Sequence, residues 1–184
     1  MPQRGFSLVE LLMGLAIGVI VLSLVSPALA RLSESNHRQQ AADALLSGVR
    51  HARSLAIAQN HSVVLHAIDG DWSRGWRIIL DVSGKGADDP GNPLLREHAT
   101  DAQIPVVGNW GVSSYVRFSS LGQPLLPGRA FQAGTLHLCS RREPLSQLQV
   151  VLAATGRVRL TREVAEQALC RGGKRVRSNA RAAL

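Results

Sequence analysis

Aromatic residues are scarce: Phe6, Trp72, Trp76, Trp110, Tyr115, Phe118 and Phe131 are the whole set in 184 residues. None lies in the basic C-terminal region, so base stacking is not expected there, and a nucleic-acid contact at that end would be electrostatic and blind to sequence. Cysteine is limited to Cys139 and Cys170, without the CxxC spacing of a zinc site. The six histidines, His37, His51, His61, His66, His98 and His137, form no HExxH and no i,i+4 pair, which argues against a metal site. Asp69, Asp71, Asp88 and Asp89 read as turn residues rather than calcium ligands. No nucleophile elbow or other local catalytic motif is present, so neither an enzyme nor a cofactor is expected. There is no internal repeat.

Positive charge is unevenly placed. The last 28 residues carry Arg157, Arg159, Arg162, Arg171, Lys174, Arg175, Arg177 and Arg181 against Glu163 and Glu166, which is six of the chain's net +8. Such a cluster attracts phosphates over about a Debye length and points to nucleic acid or an anionic membrane face, with a solvated basic tail as the plain alternative.

Residues 11–30 read LLMGLAIGVIVLSLVSPALA, without one ionisable group, the length a helix needs to cross the hydrocarbon layer at about 1.5 Å per residue. Arg4 precedes the stretch, which favours a cytoplasmic stub and an exported remainder. Ala28-Leu29-Ala30 fits a secretory cleavage site, yet the apolar stretch is long for a signal peptide and Glu10 stands at its entrance, where a carboxylate needs a partner. Beyond the anchor about 150 residues remain, enough for one compact domain. In an exported chain, two cysteines 31 apart are most simply read as one disulfide, about 3–4 kcal/mol on the loop-entropy model, with two free thiols as the alternative.

Arg4-Gly5-Phe6-Ser7-Leu8-Val9-Glu10-Leu11-Leu12 resembles the processing site of type IV prepilins and type II secretion pseudopilins. The resemblance implies cleavage after Gly5 by a prepilin peptidase, N-methylation of Phe6, and pairing of Glu10 with the N-terminal amine of a neighbouring subunit. Pro27 stands where many pilin helices carry a proline; physically it removes one helix hydrogen bond.

The helix is expected to continue past Arg31, because Ala41, Ala42, Leu45, Val49, Ala52 and Ala56 share one face while Arg38 and Arg50 lie off it. Asn60 is expected to end it. Strand character follows at 62–68, 75–81, 115–119, 134–139, 147–153 and 157–161, separated by Gly, Pro and Asp clusters, and 83–93 reads as a loop. Trp72 and Trp76 flank a turn and read as packing residues. This order indicates an α+β domain.

The stretch LLSGVRHARSLAIAQN at 45–60, the following SVVL, the Asp71 to Trp76 turn, Val116-Arg117-Phe118 with a turn at Gly122, and Thr155-Gly156-Arg157-Val158-Arg159 are similar to the GspH/FimT group of minor pilins and pseudopilins. The fold implied is type IV pilin-like: a long N-terminal helix, transmembrane in its first half, packed on an antiparallel β-sheet domain. The expected organisation is a leader at 1–5, an assembly helix at 6–30, a globular domain at 31–170 and a basic tail at 171–184, in the bacterial inner membrane with the domain periplasmic. Other pilins and the peptidase are the implied partners.

In the last hairpin Arg157 and Arg159 project from one face of a strand, about 7 Å apart, close to a phosphate repeat. Arg162, Arg171, Lys174, Arg175 and Arg177 are expected to extend that surface. Gly156-Arg157-Val158-Arg159 matches the GRxR motif with which FimT-like pilins of natural transformation bind DNA. The expected partner is therefore double-stranded DNA. The competing expectation is a structural subunit of a pilus or a type II secretion system, with the arginines only guarding a strand edge.

Overall fold

The computed structural model describes residues 8–171, apart from the side chains of residues 24–28 and 30. Gly5, Phe6, Lys174, Arg175 and Arg177 lie outside the described residues. One helix, α1, runs Leu8–Ala58, passing through Pro27, and the chain divides into two compact units after His37. In the first unit the described apolar side chains, among them Leu8, Leu12, Leu15, Val19 and Leu22, are all exposed. Among the described residues no helix is long and apolar enough to cross a membrane. The span expected over 11–30 is therefore not shown, and it includes residues 24–28 and 30, whose side chains lie outside the described set.

In the second unit the helix buries the face its periodicity indicates. Ala42, Leu45, Val49, Ala52 and Ala56 are inaccessible or nearly so, while Arg50 is exposed. Gly48 lets the Trp76 indole lie against the helix, since a Cβ there would come within 2.8 Å of the ring. The helix ends in a Schellman arrangement: Asn60 takes φ 49°, His61 N–H donates to Ala56 O at 3.2 Å and Asn60 N–H to Ile57 O at 3.2 Å. Asparagine tolerates that left-handed conformation better than other non-glycine residues.

The strands form two antiparallel sheets. The first has the order β3-β2-β1-β5, from β1 (Val63–Ala67), β2 (Gly75–Leu80), β3 (Leu94–Ala99) and β5 (Tyr115–Phe118). The second has the order β4-β6-β7-β8, from β4 (Val106–Gly108), β6 (Gly134–Cys139), β7 (Leu145–Leu152) and β8 (Val158–Thr161), with β9 (Ala165–Glu166) also paired to β7. Val63, Leu65, Ile78, Val116 and Phe118 from the first sheet, Leu136, Leu138, Val150, Leu152 and Val158 from the second, and the helix stripe form one core.

Three strands were not anticipated. β3 is mostly exposed and carries Arg96, Glu97 and His98, and its edge position explains why it lacks an apolar face. β4 and β9 are too short to show a period. The 83–93 segment is a loop with one 3-10 turn (Gly86–Asp88), fastened by Asn92, whose Nδ2 donates to Gly86 O at 2.8 Å, and by Asp81, whose Oδ1 accepts from Gly86 N at 2.9 Å. The second oxygen of Asp81, fully buried, faces Arg117 at 3.0 Å. Asp71 and Asp89 accept from the backbone N–H of Ser73 and Gly91, both at 2.9 Å, and Asp69 pairs with Arg74. All three serve turns. Trp72 and Trp76 are buried; Trp72 Nε1 donates to Val112 O at 3.0 Å.

Candidate nucleic-acid interface

The β7–β8 hairpin closes through a three-residue loop. Gly156 N–H donates to Ala153 O at 2.8 Å and Ala153 N–H to Arg157 O at 2.9 Å, with Gly156 at φ 80°, the geometry of a turn followed by a left-handed bulge residue. Beyond the loop the strand alternates: Val158 is in the core, Leu160 packs on it, and Arg157 and Arg159 are exposed. Arg159 stands opposite Val151. Among the described residues no carboxylate pairs with Arg157 or Arg159. Two unneutralised guanidinium groups therefore leave one face of an edge strand.

Arg53, on α1, fixes that hairpin. Its Nε donates to Gly122 O at 3.0 Å and its Nη1 to Gly156 O at 3.3 Å. The two glycine turns also touch, because a Cβ on Gly156 would lie 2.8 Å from Gly122 O, and one on Gly122 would lie 2.7 Å from Ile57 Cδ1. Helix, Gly122 turn and arginine hairpin thus interlock. Gly156→Ala is expected to lose about 1–3 kcal/mol, from the left-handed φ and the backbone clash together, read as a lowered urea midpoint.

Arg162 and Arg171 do not join this face. After Thr161 the edge carries one extra residue before β9 resumes pairing, since Gln149 opposes Thr161 and Ser146 opposes Ala165. This is a β-bulge, held by Gln149 Nε2 donating to Glu163 O at 2.9 Å. Arg162 instead reaches the helix, its Nη2 lying 3.5 Å from Gln39 Oε1. Cys139 and Cys170 are disulfide-bonded, with Cα atoms 5.6 Å apart. That bond puts Arg171 at the Ser146 end of the second sheet, about 20 Å of strand from the Leu152 end where Arg157 lies.

The disulfide also holds the final segment over His137. The His137 ring meets Ser146 Oγ at 3.0 Å and Gln167 Nε2 at 3.3 Å, and burial lowers its pKa below the usual 6.5. His66 is lowered too, by burial first, with the Arg77 charge adding to it against a hydrogen bond to Ala67 O that works the other way. The unfolded chain therefore takes up these protons at higher pH than the native chain. Stability is complete above about pH 6.5 and falls as pH drops through that value toward the native pKa values. The melting temperature is expected to decline below about pH 6.5, and less steeply in His137→Gln.

Among the described residues no group of three or more His, Cys, Asp or Glu is placed to hold a metal ion. The sequence alone missed Arg53, whose partners lie 69 and 103 residues away; its only signal was a place inside the 45–60 stretch.

A family model described as type II transport protein GspH matches residues 41–156, which is more than half of the chain and spans the helix stripe, the first sheet and β4, β6 and β7 of the second, ending at Gly156 before β8. The chain belongs to the GspH family. A model of the prokaryotic N-terminal methylation motif matches residues 1–26 of this GspH-family protein. Its fold is similar to the type IV minor pilin FimU of Pseudomonas aeruginosa in two crystal forms. One has 24% identity and a TM-score of 0.56, covering 71% of this chain and 92% of that one. The other has 23% identity and a TM-score of 0.53, covering 67% and 91%. No curated protein matches by sequence. Family, methylation motif and fold together make it a minor pilin or pseudopilin of the GspH/FimT group, with the helix-on-antiparallel-sheet fold of structural pilins.

Proposed function

We propose that this pilin is a minor subunit of a type IV pilus that binds double-stranded DNA without sequence specificity, for DNA uptake in natural transformation. The observation that carries the reading is the pair Arg157 and Arg159: exposed, without a carboxylate partner among the described residues, and set on a hairpin braced by Arg53. Guanidinium groups suit bidentate phosphate contacts, and a contact made through charge alone reads no bases. Arg171 and the tail cations Lys174, Arg175 and Arg177 add further positive charge, and Arg162 contributes from the helix side.

The N-terminal helix mounts the domain. Its exposed apolar side chains, Leu8 to Leu22, require lipid or neighbouring helices to cover them, and residues 11–30 supply the single span of the inner membrane, with the globular domain periplasmic. A prepilin peptidase cuts after Gly5, Phe6 is N-methylated, and Glu10 pairs with the amine of a neighbouring pilin. The intact mass of the exported protein checks this part: it should lack residues 1–5 and carry one added methyl group, whereas loss of residues 1–30 contradicts it.

One observation favours a second reading, a structural subunit of a pilus or type II secretion system without DNA binding: β8 is an edge strand, where arginines also deter pairing with other chains. Cells carrying Arg157→Gln/Arg159→Gln separate the two. On the DNA-binding reading they lose transformation but keep their pili. If transformation is unaffected, or falls only together with piliation, the structural reading stands.

A further inference from the structure

Trp110 is 85% exposed, although it sits in a well-fastened loop. It heads a groove of about 300 Å³ lined by Trp110, Gly111, Ser113, Tyr115, Leu126 and Pro127. Asn109 N–H donates to Thr135 O at 3.0 Å, and Asn109 Oδ1 accepts from Thr135 N at 3.2 Å. Gln132, wholly buried, donates to Gly111 O and Tyr115 O, each at 2.9 Å, and accepts from Arg117 N at 2.9 Å. The indole is thus presented to solvent on a fixed platform, at the cost of leaving a large apolar surface wet.

The groove and the arginine hairpin share one end of the second sheet. Gly111 packs against Ala133 O, Gly134 pairs with Leu152, and Leu152 pairs with Val158. Three strand spacings, about 14 Å, separate β4 from β8, which about four stacked nucleotides would bridge. Charge favours a polyanion: between Ala102 and Arg162 the only carboxylate is Glu143, and it belongs, with Arg141 and Arg142, to the β6–β7 turn at the other end of the sheet, which leaves Arg129, Arg157 and Arg159 at this end. Arg117 is taken up by Asp81. Arg129 is exposed in the turn that supplies Leu126 and Pro127 to the groove, its N–H donating to Leu126 O at 3.0 Å. The basic tail holds no aromatic residue; the fold places one beside a basic end of the domain.

We infer that the Trp110 groove is a base-stacking subsite for single-stranded nucleic acid whose phosphates lie on Arg129 at one side and on Arg157 and Arg159 at the other. This rests on the DNA-binding reading and adds a strand class to it. Bases inside a duplex are stacked on one another and do not reach an indole; those of a single strand or a frayed end do, and stacking on an aromatic side chain tolerates any base. The hairpin holds phosphates of either form, and the groove acts only on the unpaired one.

The test uses the full-length protein in non-ionic detergent, with a labelled oligodeoxythymidylate of about 20 nucleotides and a duplex of equal length as probes. The single strand should quench the fluorescence of the exposed indole. Trp110→Ala should weaken single-strand binding about tenfold and leave duplex binding within about twofold, Trp110→Phe should retain most single-strand binding, and Arg157→Gln/Arg159→Gln should weaken both. A Trp110→Ala protein that binds the single strand as the parent does overturns the inference, and so does one that loses both probes equally. A change in oligomeric state with unchanged DNA binding assigns the groove to a protein neighbour and overturns it too. Binding of neither probe by the parent protein removes the DNA-binding reading itself, a result distinct from failure of the groove alone.

Discussion

Arg157→Gln/Arg159→Gln is expected to weaken duplex binding by about tenfold or more near 0.1 M salt and to reduce the salt slope by about 2. The two guanidinium groups have no carboxylate partner among the described residues, so their charge is available to phosphates. Each phosphate they neutralise releases counterions and contributes about 0.9 to the slope. Glutamine keeps the length and polarity of the side chain and removes only the charge. Because both positions are exposed, stability should change by no more than about 0.5 kcal/mol. Fold and binding are thereby separated, as they would not be in Gly156→Ala, where the hairpin itself is strained. Binding does not vanish, because Arg171 and the tail retain their charge. An unchanged affinity and slope would reassign the site.

Removing the disulfide, with Cys139→Ser/Cys170→Ser or a reductant, is expected to cost about 3–4 kcal/mol, since the bond closes a 31-residue separation. For a domain of this size that lowers the melting temperature by about 10 °C. The loss should be local in structure. The segment after β8 is attached by β9 pairing with Leu145 and Ser146, by Gln167 N–H donating to Pro144 O at 2.9 Å, and by the Gln167 contact with His137. These are backbone and polar contacts, and no residue of 163–171 belongs to the main core, so amide exchange should rise in 163–171 while β1 and β6 stay protected. A melting temperature that moves by less than about 2 °C would mean that the bond constrains little.

The helix was legible because its buried stripe is periodic: Ala42, Leu45, Val49, Ala52 and Ala56 repeat at helical spacing, and Asn60 can take the left-handed turn that ends it. The six anticipated strands have an apolar face that the core needs. β3 escaped because an edge strand carrying Arg96, Glu97 and His98 has no such face, and the division into two sheets depends on pairings that no local period encodes. At the site, alternation told which way Arg157 and Arg159 point. It also puts Arg162 on the opposite face, with Val158 and Leu160, where its guanidinium reaches Gln39, so the expectation that Arg162 extends the surface of Arg157 and Arg159 ran against the strand's own period. Arg53 and Trp110 were silent for another reason: their roles depend on segments far apart in sequence, the Gly122 and Gly156 turns for one and the 131–135 segment for the other.

The central claim is that a pilin of the GspH family presents a basic hairpin to DNA. A titration of the full-length protein in non-ionic detergent with two duplexes of unrelated sequence, repeated across a range of salt, tests it most directly. The account predicts equal affinities for the two duplexes and a linear fall of log K with log salt, with a slope of magnitude about 2 or more. Absence of binding at low salt, or affinity that ignores salt, would contradict it.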